Sequence, residues 1–340
     1  MTRSSRVRIT DVAAHAGVSS ATVSFALNHP ERVAPDTLQR VRASIQELGY
    51  VRNDAARQLR AGDSNTIGLI LQDLQNPFFT AIARGVEDAA ATKNYAILLG
   101  NSARDQQKED TYLKILAERE VRAFVITPVN GHISPRLQDA LRSSVPVVLV
   151  DSVGDCQGAS CIQIDNVNGG RKAMRHLYDQ GARRVLFVGP LWIPQVRDRY
   201  QGALEGAREL PEMTLLLQEM PGIRLEEAQD LGRELPRSIR DNKVDAIFAC
   251  NDVVAVGILQ SFIQENGPKV PQDVLLVGFD DGPLAKISPV PLTSLRQPGE
   301  SMGMQSLDLL GQIEKGGPAQ KVVLEPPLVV RASTDGRARN

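Results

Sequence analysis

Residues 10–28 carry a helix-turn-helix pattern, and this feature restricts the possible fold more than any other. Helical spacing predicts two apolar stripes, which consist of Val12, Ala13 and Ala16 on one helix and Val23, Ala26 and Leu27 on the next. Gly17 lies between them, where a tight turn favours a residue that adopts a positive φ. The opposite side of the second helix carries small, mostly polar side chains, namely Ser20, Ala21, Ser24, Phe25 and Asn28. Because these side chains face away from the stripes, we predict that they contact DNA.

Arginine is concentrated at the N-terminal end of the chain. The first 62 residues contain nine arginines, no lysine and five acidic residues, so their formal charge is +4, whereas the remainder carries −5. A basic N-terminal module on a mildly acidic body is typical of a protein that contacts phosphate with one end only.

Two further helical segments are predicted before residue 64. The first begins at Pro35, a favoured first helical position, carries Asp36 in its first turn and ends at Gly49. Its apolar stripe consists of Leu38, Val41, Ile45 and Leu48. Residues 1–50 are therefore expected to form a small three-helix headpiece. The second segment, within the linker 51–63, starts at the N-cap Asn53 and is too short to be stable alone in water. It is either a flexible linker or one that becomes helical when DNA and a second copy hold it.

From Thr66 onward, apolar runs alternate with amphipathic stretches. The runs are typical of buried parallel strands and lie at 67–71, 95–99, 123–127, 145–150, 185–188, 246–250 and 274–279. The amphipathic stretches lie at 79–93, 106–119, 168–180, 198–210, 225–240 and 253–266. This doubly wound α/β pattern is too long for one sheet of ordinary size, so it predicts two lobes that meet near Gln163–Asn166.

Acidic and amide side chains follow several of these runs, at Gln72–Asp73, Asp151, Asn251–Asp252 and Asp280–Asp281. Ligands of open α/β sheets bind outside the carboxyl ends of the strands. Each aspartate could instead cap the helix that follows it. Their recurrence at several strand ends favours a ligand cleft between two facing sheets.

Other features argue against several classes of protein. The three cysteines, Cys156, Cys161 and Cys250, are odd in number and lack a Cys-x-x-Cys spacing. We therefore expect a reducing compartment without a disulfide framework or zinc site, and interpret the proximity of Cys156 and Cys161 as incidental.

Neither a signal peptide nor a run of about 18 apolar residues is recognisable, so we expect a cytoplasmic protein that does not contact a membrane. The scattered histidines and the lack of nucleotide-loop or nucleophile motifs predict no catalysis, metal or cofactor.

Segments in order along essentially the whole chain resemble the LacI/GalR family of transcriptional regulators. They are Ile9–Ala13, Gly17–Ser19, Thr22–Ser24 with Asn28, Gly49–Val51, Asn53, Ala56–Arg60, Thr66–Ile70, Asn76–Phe79, Asp273–Asp280, Thr293–Pro298 and Arg331–Thr334. The resemblance implies a headpiece, a hinge helix and a two-lobed periplasmic-binding-protein-like core over 64–340. It also implies three crossings between lobes, expected near Gln163–Asp165, Pro291–Thr293 and Glu325–Pro327. Lobe one would then comprise 64–162 and 293–324, and lobe two 164–291 and 326–340.

The resemblance also assigns roles in DNA binding. Ser20, Ala21 and Phe25 occupy positions that read bases in the major groove. Thr10, Ser19, Thr22, Ser24 and Asn28 are suited to phosphate contacts, and Asn53 and Arg57 belong to the hinge helix. Leu59 would enter the minor groove and unstack a central base step. Phe25 departs from the long polar side chain of the relatives, and either contacts a thymine methyl group or packs against the headpiece. Arg52 stands where the family usually has proline.

A second set of positions matches the family's effector site. The set is Asp73, Phe78, Phe79, Asp151, Arg199, Asn251 and Asp280, with Trp192 as a further ring that could stack on a sugar. Carboxylates, an amide and an arginine pair with vicinal hydroxyls, and aromatic rings cover the apolar face of a sugar. For Trp192, packing in its loop is an alternative, and for Arg199 a solvated helix face beside Arg197 is another.

The resemblance therefore implies a repressor of carbohydrate uptake or catabolism genes. A homodimer would bind a palindromic double-stranded operator, and a saccharide-like effector in the cleft would alter DNA affinity, either as inducer or as co-repressor. The lack of a leucine-heptad tail after Thr334 favours a dimer over a tetramer. Alternatives are an enzyme, a free sugar-binding transport protein, and a regulator whose co-effector is a phosphorylated carrier protein that docks on lobe one.

Overall fold

The computed structural model describes residues 7–50, 64–131 and 133–335. The chain divides into two compact units, Met1–Ser64 and Asn65–Asn340. The predicted hinge segment lies outside the described residues, and with it the sites Arg52, Asn53, Arg57 and Leu59.

The N-terminal unit is the expected three-helix headpiece, with α1 (Ile9–Ala16), α2 (Ser20–Asn28) and α3 (Pro35–Leu48). Gly17 ends α1 with a φ of 64°, and Ser19 caps α2 by accepting a hydrogen bond from the Thr22 amide at 3.1 Å. The buried core comprises Val12, Ala13, Ala16, Val23, Ala26 and Val41, with Leu27 partly buried against it. The apolar stripes predicted from helical spacing are thus confirmed.

The second unit contains two sheets. Its strands are β1 (Thr66–Leu71), β2 (Ala96–Asn101), β3 (Ala123–Ile126), β4 (Val147–Val150), β5 (Ser160–Ile164), β6 (Arg184–Val188), β7 (Thr214–Gln218), β8 (Ala246–Ala249), β9 (Leu275–Asp280), β10 (Thr293–Arg296), β11 (Lys321–Leu324) and β12 (Leu328–Val329). Its α-helices are α4 (Pro77–Thr92), α5 (Gln106–Glu118), α6 (Pro135–Arg142), α7 (Asn166–Asp179), α8 (Pro194–Glu209), α9 (Leu225–Asp241), α10 (Asp252–Gln264), α11 (Pro283–Ile287) and α12 (Gly299–Glu314). One-turn 3₁₀ segments lie at Val129–Gly131 and Ala332–Thr334.

Each sheet has six strands and belongs to one lobe. The order is β11-β5-β4-β3-β1-β2 in lobe one and β12-β10-β9-β8-β6-β7 in lobe two. The pairings are parallel except for the antiparallel pair of β10 and β12. Such sheets need helices on both faces, which explains the near-continuous apolar runs of the central strands. The doubly wound, two-lobed α/β architecture is confirmed.

One predicted crossing between the lobes is misplaced. Thr293 pairs with Val277 of β9, so β10 belongs to lobe two and the chain leaves that lobe after Arg296 rather than at Pro291–Thr293. Lobe one therefore does not begin again at residue 293. Polar contacts hold β10 in lobe two, because the Ser294 hydroxyl donates to Asp252 at 2.6 Å and the Thr293 amide donates to Ser333 at 2.8 Å.

The strand predicted at 95–99 is not buried. It forms β2 at the edge of lobe one, where Leu98 is 40% and Leu99 is 46% exposed. Its apolar sequence resembles that of a central strand, and only its position at the edge of the sheet leaves side chains on both faces exposed. The edge strand of lobe two, β7, carries the exposed Leu217 and was not predicted from the sequence.

The interpretation of Cys156 and Cys161 as an incidental pair is wrong. Their sulfur atoms are bonded at 2.09 Å, with the two Cα atoms 6.5 Å apart. The loop between β4 and β5 folds back so that Cys156 meets the second residue of β5, a pairing that spacing rules for cysteine motifs do not detect. Cys250 is a free, buried thiol.

No helix among the described residues combines the length and the apolar character needed to cross a membrane.

Candidate functional site

A narrow inter-lobe cleft lies at the carboxyl ends of β1, β4, β8 and β9. Its lining residues are Gln72, Asn76, Phe78, Phe79, Arg104, Asp151, Ile193, Gln195, Val196, Arg199, Ile223, Asn251, Asp280 and Gln297. The free volume is about 30 Å³, so the lobes are closed on each other. Six of the eight predicted effector residues belong to this lining. All of them except Arg199 lie at strand ends or helix starts, as the strand-end rule anticipates.

Two phenylalanines form the apolar wall of the cleft. Pro77 begins α4, and Asn76 caps this helix by accepting a hydrogen bond from the Phe78 amide at 2.9 Å. This fixed helix start places the rings of Phe78 and Phe79 with their centroids 5.1 Å apart. Both rings are buried, and they offer an apolar surface to a ligand in the cleft.

Arg199 is the most firmly held charge in the cleft. Its Nε donates to Asn166 at 2.8 Å, its Nη1 donates to the Cys250 carbonyl at 2.6 Å, and the guanidinium lies 3.7 Å from the centroid of the Phe279 ring. The nearest oxygen of Asp280 is 3.9 Å from Nη1. The side chain is only 6% exposed, so the alternative of a solvated helix face is wrong.

Close packing of two helices brings Arg199 to this position. A Cβ on Gly202 would lie 1.8 Å from the carbonyl oxygen of Val167, so only glycine permits this contact between α7 and α8. The same contact aligns Asn166, at the start of α7, with the guanidinium.

Asp151 and Gln195 join the two lobes across the cleft. Asp151 follows β4 with a φ of 56°, and Gln195 lies in the first turn of α8. The amide nitrogen of Gln195 donates to the carbonyl of Asp151 at 2.8 Å and to its carboxylate at 3.1 Å. Burial raises the pKa of Asp151 to about 7, against the opposing influence of Arg199.

Asp280 is the second buried carboxylate of the cleft. Burial raises its pKa, whereas Arg199 and hydrogen bonds from Gln297 and Asn76 act in the opposite direction. Gln297 Nε2 lies 2.5 Å from Asp280 Oδ1. Gln297 directly follows β10, at the crossover between lobes, so it ties the end of β9 to the connecting segment.

Arg104 supplies a second cation. Its Nη1 donates to Gln72 Oε1 at 3.1 Å, its Nε is 3.7 Å from Asp73, and its guanidinium is 5.8 Å from the centroid of the Phe79 ring. Burial lowers the pKa of Arg104, and the Asp73 carboxylate opposes this effect. Arg104 follows β2 with a φ of 60°, at the same sheet edge as the predicted strand-end residues.

Four buried side-chain atoms in the described part of the chain have no hydrogen-bond partner, and all four belong to residues that line the cleft. They are Arg104 Nε, Asp151 Oδ1, Gln195 Oε1 and Gln297 Oε1. A buried polar atom left unpaired costs on the order of 1–3 kcal/mol. The cleft therefore presents one unused donor and three unused acceptors to any ligand that enters it.

Not every predicted effector residue lines the cleft. Asp73 is not among the lining residues; it lies beside Arg104 and accepts a hydrogen bond from the Gln75 amide at 3.0 Å. Trp192 is 53% exposed and donates to the Pro221 carbonyl at 3.0 Å, so packing in its loop describes its position. Asn251 does line the cleft, although it also caps α10 through the Val254 amide.

The other two strand-end aspartates hold lobe two together. Asp252 accepts hydrogen bonds from the Ser294 hydroxyl at 2.6 Å and the Gly282 amide at 3.0 Å. Asp281 pairs with Arg296 at 2.7 Å and Arg331 at 2.5 Å.

Gln72, predicted as a strand-end amide, lines the cleft, but sequence reasoning did not find Asn76, Arg104, Gln195 and Gln297 there. Two of these had a usable signal, because Arg104 and Gln297 follow strands as the predicted acids do. Gln195 had no such signal, because it lies in a helix and not after a strand. Only the arrangement of the two lobes brings its side chain to Asp151.

The headpiece presents the predicted DNA-contacting residues on its surface. Thr10, Ser19, Ala21, Phe25 and Asn28 are exposed, and Ser20, Thr22 and Ser24 are partly exposed. Phe25 contacts the ring of His29, with centroids 5.2 Å apart, yet remains 43% exposed. An apolar side chain this exposed on a polar helix face is available to a partner.

Comparison with known proteins adds two family matches. The profile described as bacterial regulatory proteins, lacI family, matches residues 8–53, and that of the periplasmic binding protein-like domain matches 174–334. The ribose operon repressor of Bacillus subtilis (strain 168) is 33% identical over 321 residues, which cover 94% of this chain and 95% of the repressor.

Two solved structures extend the comparison. A CelR–cellobiose complex, described as a transcriptional regulator, has a TM-score of 0.69 and 29% identity over 96% of this chain and 100% of its own. The lac repressor dimer bound to operator and the anti-inducer ONPF has a TM-score of 0.82 over 96% and 99% of the two chains. At 23% identity, this match shows a similar fold and nothing more.

Proposed function

This chain belongs to the LacI family of bacterial regulatory proteins, and from that premise we propose that it is a ligand-responsive repressor of carbohydrate uptake or catabolism genes. Its headpiece binds a palindromic operator, and a saccharide in the inter-lobe cleft changes the affinity for that operator. The relatives compared are transcriptional regulators, and we propose no catalytic role for this chain. A regulator of chromosomal genes acts in the cytoplasm, which we propose as its location.

The observation that carries the saccharide proposal is the set of four unpartnered atoms in the cleft. Three acceptors and one donor are complementary to a ligand that offers at least three donors and one acceptor. Hydroxyl groups do both, and Phe78 and Phe79 supply a surface for the apolar face of a sugar ring. A phosphorylated ligand fits less well, because three of the four unpartnered atoms are acceptors and ionised phosphate oxygens do not donate hydrogen bonds.

The names of two relatives agree with this ligand class. One is a ribose operon repressor, and the other is a regulator in complex with cellobiose. We propose that Asp151, Arg199, Asn251 and Asp280 bind the hydroxyls of the effector, together with residues that the sequence did not indicate, namely Asn76, Arg104, Gln195 and Gln297.

For DNA, we propose that α2 enters the major groove. Ser20, Ala21 and Phe25 would face base edges, and Phe25 suits a thymine methyl group because its ring cannot form hydrogen bonds to guanine. Thr10, Ser19, Thr22, Ser24 and Asn28 would contact phosphates, and they lie on the exposed side of the headpiece. Asn53, Arg57 and the minor-groove residue Leu59 complete the proposed contact through the hinge.

We propose a homodimer whose contact includes the edge of lobe one. Leu98 and Leu99 leave apolar surface exposed on β2, and an open sheet edge with apolar side chains favours association with a second chain. Dimerisation would place two headpieces on the two halves of a palindrome.

Calorimetric titration of the full chain with D-ribose, D-xylulose and cellobiose tests the effector proposal. We expect one saccharide to bind and, in a parallel titration with fluorescent promoter DNA, to change the DNA affinity. Saccharide binding without any change in DNA affinity would contradict the coupling. Binding of no saccharide would contradict the effector class and favour a protein co-effector on lobe one.

A further inference from the structure

The disulfide between Cys156 and Cys161 closes the loop that follows Asp151. Cys161 lies in β5 opposite Leu149 of β4, and Cys156 lies in the loop that joins these two strands. Both cysteines are buried in lobe one, with Cys156 at 5% and Cys161 at 0% exposure. Residues on either side of Cys156 are exposed, so the bond lies just beneath the surface.

The sulfur of Cys156 also takes part in the hydrogen bonds that shape this loop. Gln163 Nε2 lies 3.2 Å from the Ser152 hydroxyl, 3.1 Å from the Gly154 carbonyl and 3.3 Å from Cys156 Sγ. The Ser152 hydroxyl is 3.5 Å from the same sulfur. Because a disulfide sulfur has no hydrogen, both side chains donate to it. A thiol at this position would instead be able to donate, so reduction changes the pattern.

Four residues of this loop have a positive φ. Asp151, Gly154, Gln157 and Gly158 adopt φ values of 56°, 69°, 49° and 81°. For Asp151 and Gln157 such values are unfavourable unless the surroundings impose them. The disulfide and the hydrogen bonds of Gln163 hold the loop in this conformation.

The loop connects directly to the inter-lobe cleft. Asp151 accepts hydrogen bonds from Gln195 of lobe two and leaves one carboxylate oxygen unpartnered. Ser152, its neighbour, belongs to the network that includes the disulfide sulfur. A displacement of the loop therefore changes the orientation of an effector-binding carboxylate.

We propose that Cys156–Cys161 is a thiol–disulfide exchange site through which small thiols and dithiols set the effector affinity of the cleft. The part that concerns effector affinity rests on the proposed function. A thiolate attacks Cys156 Sγ, forms a mixed disulfide and releases Cys161 as a thiolate that takes up a proton. A second thiolate attacks the small-molecule sulfur of the mixed disulfide. This attack releases Cys156 as a thiolate, which takes up a proton, and joins the two small thiols in a disulfide. Two electrons and two protons pass to the protein, and oxidised glutathione reverses the reaction.

Several features support reversible exchange. Disulfides that occur in cytoplasmic proteins usually change their oxidation state as part of their function. Lys321 donates to the Gly154 carbonyl at 3.0 Å and brings positive charge to the loop, which favours a thiolate there. Reduction obliges the two sulfurs to move apart to a non-bonded distance within a packed core, so the loop has to rearrange.

Alkylation of denatured protein counts the thiols and tests the exchange itself. The native full chain is first incubated with either oxidised glutathione or dithiothreitol, and alkylated thiols are then counted by mass spectrometry. We expect one alkylated cysteine after oxidation and three after reduction, with Cys250 as the internal standard. Burial raises the pKa of Cys250 to about 12, so this thiol stays unreactive while the protein is folded. The same count after both treatments would overturn the proposal.

Hydrogen exchange tests the structural consequence without any effector. We expect amides at 152–162 to exchange about tenfold faster in the reduced protein, while those of β6 and β8 keep their rates. Equal exchange in the two states would overturn the proposed control of the loop.

Titration with D-ribose, cellobiose and D-xylulose in both oxidation states tests the link to the cleft. We expect the saccharide that binds to do so about fivefold or more weakly to the reduced protein. Cys156→Ser should bind like the reduced protein, with or without dithiothreitol. Equal affinity in both states would overturn the link. If no saccharide binds in either state, the effector proposal fails, whereas hydrogen exchange still decides whether the disulfide controls the loop.

Discussion

The side-chain nitrogen of Gln195 in lobe two donates to Asp151 of lobe one, 2.8 Å from its carbonyl oxygen and 3.1 Å from its carboxylate. Asp151 Oδ1 and Gln195 Oε1 are both unpartnered in the same cleft. The pair therefore holds the lobes together while leaving two acceptors unsatisfied. A ligand whose hydroxyls donate to both oxygens would bridge the two lobes, which is how binding in the cleft favours one arrangement of the lobes.

Gln195→Ala removes this connection between the lobes. We expect effector affinity to fall about tenfold, because a direct contact and the support of Asp151 are both lost. DNA affinity without effector should change much less. Gln201→Ala on the same helix is the matched control, since Gln201 is exposed, donates to Glu205 of its own helix and is not part of the cleft lining. Calorimetry with the identified saccharide measures both, and equal affinity of the two variants would contradict the assignment.

The raised pKa of Asp151 predicts that the stability of the protein depends on pH. Its pKa is about 7 in the folded chain against 3.8 as the ordinary value, so the folded state retains a proton that the unfolded state releases between these values. The contribution of Asp151 to the free energy of unfolding therefore falls as pH rises from about 4 to about 7, by on the order of 4 kcal/mol, and is constant above that window. Arg199, Arg104 and Asp280 face the same carboxyl group.

Asp151→Asn should remove this part of the pH dependence. Urea unfolding at pH 5 and pH 8 measures the free energy of unfolding, and the variant should gain stability relative to the parent chain at pH 8. Asp155→Asn, an exposed residue of the same loop, serves as the control and should keep the parent's dependence. An unchanged slope in Asp151→Asn would mean that this carboxyl group titrates normally.

Arg199→Ala should destabilise the protein and abolish effector binding. Removal of the guanidinium leaves Asp280 buried without its cation, and breaking such a buried pair costs about 3–5 kcal/mol. Arg197→Ala, two residues earlier and exposed, should stay within about 0.5 kcal/mol of the parent. Denaturant unfolding of both variants compares the two costs, and similar values would contradict the structural role of Arg199.

Leu59→Ala tests the proposed minor-groove contact. We expect operator affinity to fall at least about tenfold, since the variant loses the apolar wedge that supports a bent operator. Saccharide affinity of the free protein should be retained, because the cleft residues are unchanged. Fluorescence anisotropy with operator DNA and calorimetry with the effector measure the two affinities. Unchanged operator binding would exclude Leu59 as the wedge.

Leu99→Asp tests the dimer contact at the edge of lobe one. Burial of a new carboxylate in an apolar interface is unfavourable, so we expect the variant to sediment as a monomer at micromolar concentration. Ile115→Asp is the control, because Ile115 is 40% exposed and lies on α5 instead of the edge strand. A dimer of normal stability in Leu99→Asp would place the interface elsewhere.

Local patterns predicted the elements that depend on near neighbours in the chain. Gly17 ends α1 and Pro35 begins α3, because turn and cap preferences act over a few residues. The strand-end rule found Asp151, Asn251 and Asp280, since the carboxyl ends of parallel strands share one edge whatever the detailed packing.

Features that depend on distant pairing were decided by the tertiary structure. The apolar run of β2 resembles a central strand, but its place at the sheet edge exposes Leu98 and Leu99. Thr293 joins lobe two because Val277 and Ser333 hold it there. Cys156 and Cys161 meet because the loop between them folds back.

The sequence by itself determined the headpiece, the alternation of strands and helices, and the chemistry available at the strand ends, since these follow from helical and strand periodicity. Only the tertiary structure decided which of those groups share the cleft. Gln195 and Arg104 enter it while Asp73 and Trp192 do not, because lobe closure and the packing of α8 fix each side chain against partners far away in the chain.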